Sequence, residues 1–239
     1  MCTVTWSQES GGYLLFFNRD ERRSRLPALA PRCEEEDGVS FLAPRDADAG
    51  GTWVAVNEFG LTVGLLNLYQ AAATLPSPVG KISRGLLVRA LATAPDAASA
   101  AELLASQDLT AYQPFTLVVA TPGQTTRSYD WDGRAAGAWQ PAQPPIVSSG
   151  HDVVGATRAR RELFAALGEP ARLTFQDLLS FHSSHLPEKG AYSPCMHRAD
   201  AKTVSLVVVR VGEERVEMAY APGSPCQTRL SPPLGLARR

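Results

Sequence analysis

The chain has 239 residues, of which 44% are hydrophobic, so it is long enough to bury the core of one domain. Its 23 Lys and Arg residues nearly balance 24 Asp and Glu residues, which argues against nucleic acid or an anionic membrane surface as the main partner, since both call for a basic surface. No apolar run reaches the roughly 18 residues of a membrane span, and the start lacks a secretory signal pattern. We therefore expect a cytoplasmic protein.

The four cysteines, Cys2, Cys33, Cys195 and Cys226, are spread over the chain without a Cys-x-x-Cys pair. We expect free thiols, as is usual in a reducing compartment, and we predict no metal site. The run from Cys195 to His197 admits an interpretation as metal or haem ligands. A plain loop that leads into the next strand is the favoured interpretation.

The first elements are strands. Residues 3–7 alternate between apolar and polar side chains, and residues 13–17 are all apolar. Because glycines at positions 11 and 12 supply a turn between them, the pattern predicts a buried hairpin.

A polar block at residues 18–23 ends the apolar run abruptly. The segment 24–51 is rich in proline, glycine and charge. This composition predicts a loop, with one short strand near residues 39–42.

A second hairpin follows, with arms at residues 52–56 and 61–66. Gly60 is placed to adopt the positive φ that such turns need. Ser83 is predicted to cap a helix that ends near residue 94, and Asp96 one that ends near residue 106.

The second half returns to strands at residues 115–120, 126–131 and 145–149. Helices are then predicted over residues 157–167 and 175–182, the latter capped by Thr174. Strands at residues 203–210 and 215–221 form a last hairpin. Strand groups separated by helix pairs favour an α+β fold of mostly antiparallel sheets covered by helices. No linker divides the chain, so we predict a single domain over residues 1–239.

The most informative position is Cys2. Methionine aminopeptidases generally remove Met1 when the second residue is small, and the product would carry a thiol and a free α-amine on one residue. Their reference pKa values are about 8.5 and about 7.7–8.0, so the amine can act as the base that activates the thiol. The first hairpin brings Arg19 and Asp20 next to the strand of Cys2. There they could orient the amine and stabilise charge.

These residues resemble those of the NRDE family, also called the transport and Golgi organisation protein 2 family. The resemblance spans nearly the whole chain in one order. Its landmarks are Met1-Cys2-Thr3, Asn18-Arg19-Asp20-Glu21, Gly50-Gly51-Thr52-Trp53, Asn57-Glu58-Phe59-Gly60-Leu61, Leu66-Asn67, Ser83-Arg84-Gly85, Ser148-Ser149-Gly150 and Cys195-Met196-His197-Arg198.

The same motifs are distantly similar to those of choloylglycine hydrolases and penicillin V acylases. This resemblance implies an N-terminal nucleophile (Ntn) hydrolase fold, a four-layer αββα sandwich with two mostly antiparallel sheets. It also implies that Cys2 is the nucleophile, that Arg19 and Asp20 flank it, and that Asn67 donates to an oxyanion. In the acylases a second asparagine stands near the position of Ser149. Arg198 is the candidate for their downstream arginine.

The resemblance leaves two functions open. The first is hydrolysis of a non-peptide amide, linear or cyclic, by an N-terminal cysteine nucleophile, which requires no cofactor. The second is non-catalytic trafficking of haem, or of a lipid or acyl ligand, on the same fold. In both cases the expected partner is a small molecule.

Overall fold

A computed structural model describes residues 2–75 and 82–239. The strands are β1 (Cys2–Glu9), β2 (Gly12–Arg22), β3 (Leu29–Glu36), β4 (Val39–Arg45), β5 (Val54–Asn57), β6 (Thr62–Asn67), β7 (Phe115–Ala120), β8 (Arg127–Trp131), β9 (Gln140–Pro141), β10 (Ile146–Ser148), β11 (Ala201–Val211), β12 (Arg215–Ala221) and β13 (Leu234–Ala237). The α-helices are α1 (Tyr69–Ala73), α2 (Arg84–Leu91), α3 (Ala97–Ala105), α4 (Val153–Ala165) and α5 (Phe175–Ser183), and short 3-10 helices cover Leu109–Ala111 and Pro170–Arg172.

The strands form two antiparallel sheets, so the predicted α+β class is confirmed. A six-stranded sheet has the order β10-β1-β2-β11-β12-β13, and a seven-stranded sheet has the order β3-β4-β5-β6-β7-β8-β9. Neighbouring strands run in opposite directions throughout the paired segments.

Three apolar clusters stack the elements into four layers. The cluster between the sheets includes Val4, Leu15, Phe17, Val56, Val118 and Val207. The cluster under α2 and α3 includes Phe41, Leu87, Leu91, Leu104 and Leu117, and the cluster under α4 and α5 includes Phe16, Phe164, Leu178, Phe181 and Val208. Alternate residues of β2, such as Phe16 and Phe17, therefore enter different cores, because successive strand side chains point to opposite faces.

Most predicted elements are present. Both early hairpins form, and Gly60 has φ +81°. The Asp96 and Thr174 side chains cap α3 and α5 as predicted, whereas Ser83 precedes α2 without a side-chain capping hydrogen bond. The final hairpin of β11 and β12 also forms.

The prediction for residues 24–51 was wrong. This segment contains a full hairpin of β3 and β4 in place of a loop with one short strand. Its turn is Asp37-Gly38, with φ of 51° and 74°, and a pair of positive φ angles is the geometry that two-residue hairpins favour.

Two elements extend beyond their predicted ends. β2 continues through the polar block to Arg22, because β11 pairs with it along that stretch. α4 begins at Val153 and not at residue 157, since the Asp152 side chain caps it by accepting a hydrogen bond from the Gly155 N–H. Helix α1 and strands β9 and β13 were not predicted. No helix within residues 2–75 and 82–239 combines the length and apolar character of a membrane span.

Candidate active site

Cys2 begins a buried strand and has strand neighbours on both sides. It lies opposite Arg19 of β2 and opposite Ser148 of β10. The side chain is only 8% exposed. Burial and the negative charge of Asp20 raise the pKa of the Cys2 thiol, while a hydrogen bond to the Asp20 backbone and the positive charge of Arg19 act in the opposite direction. The thiol therefore needs help from its neighbours to ionise.

A cavity of about 280 Å³ opens beside this thiol. Its walls come from both sheets and from the start of α2. The polar and charged residues on its walls include Cys2, Arg19, Glu21, Arg25, Asp46, Asn67, Arg84 and Gln113. The cavity thus contains a nucleophile, several hydrogen-bond donors and charges of both signs.

Arg19 is fixed on the cavity wall from several directions. Its guanidinium lies 2.5 Å from the Asp46 carboxylate and 4.6 Å above the centre of the Trp53 ring. Arg25 binds the same carboxylate at 2.6 Å. Asp46 therefore holds two arginines at the rim, and Arg19 is the one that lies directly across from Cys2.

Asp20 turns its carboxylate to the other face of β2. The Thr203 hydroxyl donates to it at 2.6 Å, and the Arg160 guanidinium lies 3.6 Å from its second oxygen. Both side chains of this ion pair are completely buried. The backbone of Asp20 lines the cavity next to Cys2, so the residue connects the two faces of the strand.

Arg160 is a residue that the sequence analysis missed. It lies on α4 and donates to the hydroxyl of Thr3 and to the carbonyl of Tyr192. Burial lowers the pKa of Arg160, while the charge of Asp20 raises it. A signal was present: Ala156, Arg160 and Phe164 are spaced by four residues and form the buried face of α4.

Asn67 ends β6 on the cavity wall. Its amide donates to the Tyr69 hydroxyl at 2.9 Å. Its backbone carbonyl accepts from the Ser148 hydroxyl at 2.6 Å, which ties the two sheets together beside Cys2. Because an amide group has two N–H bonds, Asn67 can orient itself on Tyr69 and still present a donor to the cavity.

The two remaining sequence candidates lie further out. Ser149 is buried and accepts a hydrogen bond from the His151 N–H at 3.3 Å, while its neighbour Ser148 occupies the place opposite Cys2. Arg198 pairs with Asp200 at 3.0 Å and lines an adjoining cavity of about 480 Å³. The structure therefore brings Cys2, Arg19 and Asn67 to one cavity and places Arg198 at its neighbour.

Arg84 is a second residue that the sequence analysis left out. It lines both cavities, and it donates to the Pro114 carbonyl at 2.9 Å. Burial lowers the pKa of Arg84, while the nearby groups Tyr69, Cys2 and Glu21 raise it. Its place in the Ser83-Arg84-Gly85 landmark was the available signal.

The fold is that of the Ntn hydrolases. The chain is similar to an N-acylethanolamine-hydrolyzing acid amidase ortholog from Caenorhabditis elegans, with a TM-score of 0.62 and 12% identity over 87% of this chain and 92% of that one. It is also similar to conjugated bile acid hydrolase from Clostridium perfringens, with a TM-score of 0.58 and 10% identity over 100% of this chain and 97% of that one. At such identities the likeness concerns the fold alone.

Within that class the sequence identifies the family. The profile of the family described as Transport and Golgi organisation 2 matches residues 1–148, so the chain belongs to this family. No curated protein sequence matches the chain significantly.

Proposed function

We propose that the chain hydrolyses a small non-peptide amide with Cys2 as the nucleophile. The observation that carries the proposal is the position of the thiol. Cys2 begins a buried strand, lines a cavity and lies directly across from Arg19. A nucleophile, a cation and an amide donor on one cavity wall are the groups that acyl transfer uses.

The proposed reaction starts after removal of Met1, a residue that lies outside the described part of the structure. The α-amine of Cys2 takes the thiol proton, and the sulfur attacks the carbonyl carbon of the amide. The C–N bond then breaks, the amine leaves with that proton, and a thioester remains on Cys2. Water attacks the thioester, releases the carboxylic acid and restores the thiol.

Two side chains would assist this sequence. The free N–H of the Asn67 amide would donate to the oxygen that becomes negative during attack, a role that is typically worth roughly 3–4 kcal/mol. Arg19 would favour the thiolate, because an opposite charge nearby stabilises the ionised form. Asp46 and Trp53 keep the Arg19 guanidinium in place for this purpose.

The cavity favours a small and polar substrate. Its volume of about 280 Å³ lies at the lower end of ligand pockets, and charged side chains form much of its wall. We place the reaction in the cytoplasm, where free thiols such as those of all four cysteines persist.

The test combines intact-mass spectrometry with covalent labelling. The purified protein should lack Met1. An activated amide or a β-lactam should add one acyl group to the peptide that begins with Cys2, with a rate that rises with pH. The Cys2→Ala variant should not be labelled at this site, whereas the exposed Cys33 serves for the matched control Cys33→Ala, which should be labelled normally.

Retention of Met1 would rule out the free-amine mechanism. Equal labelling of the wild type and of Cys2→Ala would rule out Cys2 as the nucleophile.

Haem trafficking stays a prediction from the family resemblance. The walls of the cavity carry the charged residues Arg19, Asp46 and Arg84. The face of a porphyrin needs apolar contacts, so these residues do not fit haem. A haem titration checks the prediction: a saturable Soret shift would support it, and an unchanged haem spectrum would refute it.

A further inference from the structure

Metal-ligating side chains gather at the end of the six-stranded sheet where β11 begins and β12 ends. His185, Cys195 and His197 belong to the segment between α5 and β11, and Cys226 follows β12. One ligand atom from each of these four residues lies within 4.8 Å of the others. The chain folds two distant segments together to form this cluster.

The distances inside the cluster fit a tetrahedral zinc site. The Nε2 atom of His197 lies 3.5 Å from the Cys195 sulfur and 3.4 Å from the Cys226 sulfur. With Zn–S bonds of about 2.3 Å and Zn–N bonds of about 2.0–2.1 Å, a tetrahedral site separates sulfur and nitrogen by about 3.6 Å. The protein therefore holds its ligand atoms near the edge length that the ion needs.

Hydrogen bonds within the cluster explain the close approach of these four side chains less well than a bound metal ion does. Two thiols approach the same imidazole nitrogen, which can accept a hydrogen bond from only one of them, so the other has only the neighbouring cysteine as a weak partner. The Nε2 atom of His185 is buried and finds no hydrogen-bond partner among the residues that the structure describes. Its ring stands at 76° to that of His197, with 5.1 Å between the ring centres. A cation bound to both rings would satisfy every one of these atoms.

We propose that His185, Cys195, His197 and Cys226 bind one Zn²⁺ as a structural site. Two thiolates and two imidazoles are a donor set that selects zinc, and four protein ligands leave no position for substrate. The site is separate from the cavity of Cys2, because none of its four ligands lines that cavity.

The ion would fix a segment that supports the buried side of β2. The Pro194 carbonyl accepts from the Asn18 amide at 2.9 Å, and the Met196 N–H donates to the Thr203 hydroxyl at 2.8 Å. Thr203 in turn donates to Asp20. Zinc would therefore hold residues 194–196 against the network that positions Asp20.

The experiment is elemental analysis of the full chain, purified and dialysed under reducing conditions. About one equivalent of zinc should remain bound. Cys226→Ser and His185→Ala should lose most of this zinc, and the control Cys33→Ser should keep it. Replacement of zinc by Co²⁺ in the wild type should produce the visible bands of tetrahedral cobalt and a thiolate-to-cobalt charge-transfer band, which tests the site even if a variant fails to fold.

Four results would overturn the proposal. One is a wild type that binds no stoichiometric zinc after reconstitution, and another is a cobalt spectrum without the thiolate band. The third is equal zinc content in Cys226→Ser and in the wild type, which would mean adventitious binding. The fourth is a disulfide between Cys195 and Cys226 in freshly purified protein.

Discussion

On the face of β1 and β2 that turns toward the other sheet, Cys2 and Arg19 lie side by side on a cavity wall. On the opposite face, under α4 and α5, Thr3 and Asp20 meet the buried guanidinium of Arg160. The two faces are built from the same short segments, since strand side chains alternate.

The cavity face carries the side chains that can react with a ligand, and the helix face carries those that stabilise the strands. Of the Asn-Arg-Asp-Glu motif, Arg19 and Glu21 line the cavity, while the side chains of Asn18 and Asp20 bind under the helices. We therefore expect changes on the cavity face to alter reactivity with little loss of stability. Changes on the helix face should do the reverse.

The largest expected effect is on the helix face. Arg160→Met would leave the Asp20 carboxylate buried without its cation, a change that typically costs about 3–5 kcal/mol of unfolding free energy. Denaturant unfolding measures this loss. The control is Arg161→Met, one residue along the same helix but exposed, which should cost little. A loss equal to that of the control would show that the ion pair does not support the strand.

A smaller free-energy effect is expected on the cavity face. Asn67→Ala should slow acylation of Cys2 about 10²–10³-fold, because one oxyanion donor is removed. The unfolding free energy should change little. Tyr69→Phe removes only the hydroxyl that orients the amide, so its effect on the rate should be smaller. Acylation at the wild-type rate in Asn67→Ala would exclude Asn67 from the reaction.

A pH dependence is expected on the helix face. Burial, together with the charge of Arg160, lowers the pKa of His182 to about 3. The unfolded chain binds this proton near pH 6.5, so stability falls as the pH drops below that value, by about 2 kcal/mol at pH 5. His182→Gln should reduce the difference in unfolding free energy between pH 7.5 and pH 5 by that amount. An unchanged difference in His182→Gln would contradict the assignment.

The smallest expected effect again concerns the cavity face. Burial raises the pKa of Cys2 and the charge of Arg19 opposes it, so Arg19→Gln should move the labelling profile of Cys2 to higher pH. At neutral pH the labelling rate should fall, because a smaller fraction of the thiol is ionised. Arg25→Gln removes another partner of Asp46 but leaves Arg19 in place, and should leave the profile nearly unchanged. Equal shifts in both variants would assign the effect to Asp46 instead.

The pairing of Cys2 with Arg19 could be predicted because it is local. A short turn joins β1 to β2, and a short turn sets the register of the strands that it connects. The pairing of Cys2 with the strand on its other side, β10, was harder to predict. β10 comes from a distant part of the chain, no turn sets its register, and Ser148 takes the position opposite Cys2.

The burial of Arg160 and the β3–β4 hairpin were not predicted for a different reason. Each has a composition that normally belongs to solvent-exposed chain. Arg160 has arginines at positions 158 and 161 as near neighbours, and only its spacing from Ala156 and Phe164 marked it as buried. The Asp37-Gly38 turn was the overlooked signal in the hairpin.

Strand β3 forms one edge of the seven-stranded sheet, and such an edge can pair with a second molecule. Here the edge carries glutamates at positions 34–36, and Glu34 is bound by Arg32, Arg45 and Arg89. Charged side chains along an edge strand are costly to remove from water, so pairing of two such edges is disfavoured. The charges that made β3 resemble a loop in the sequence therefore also disfavour pairing at this edge, and replacing these glutamates by threonine or valine should favour edge-to-edge association.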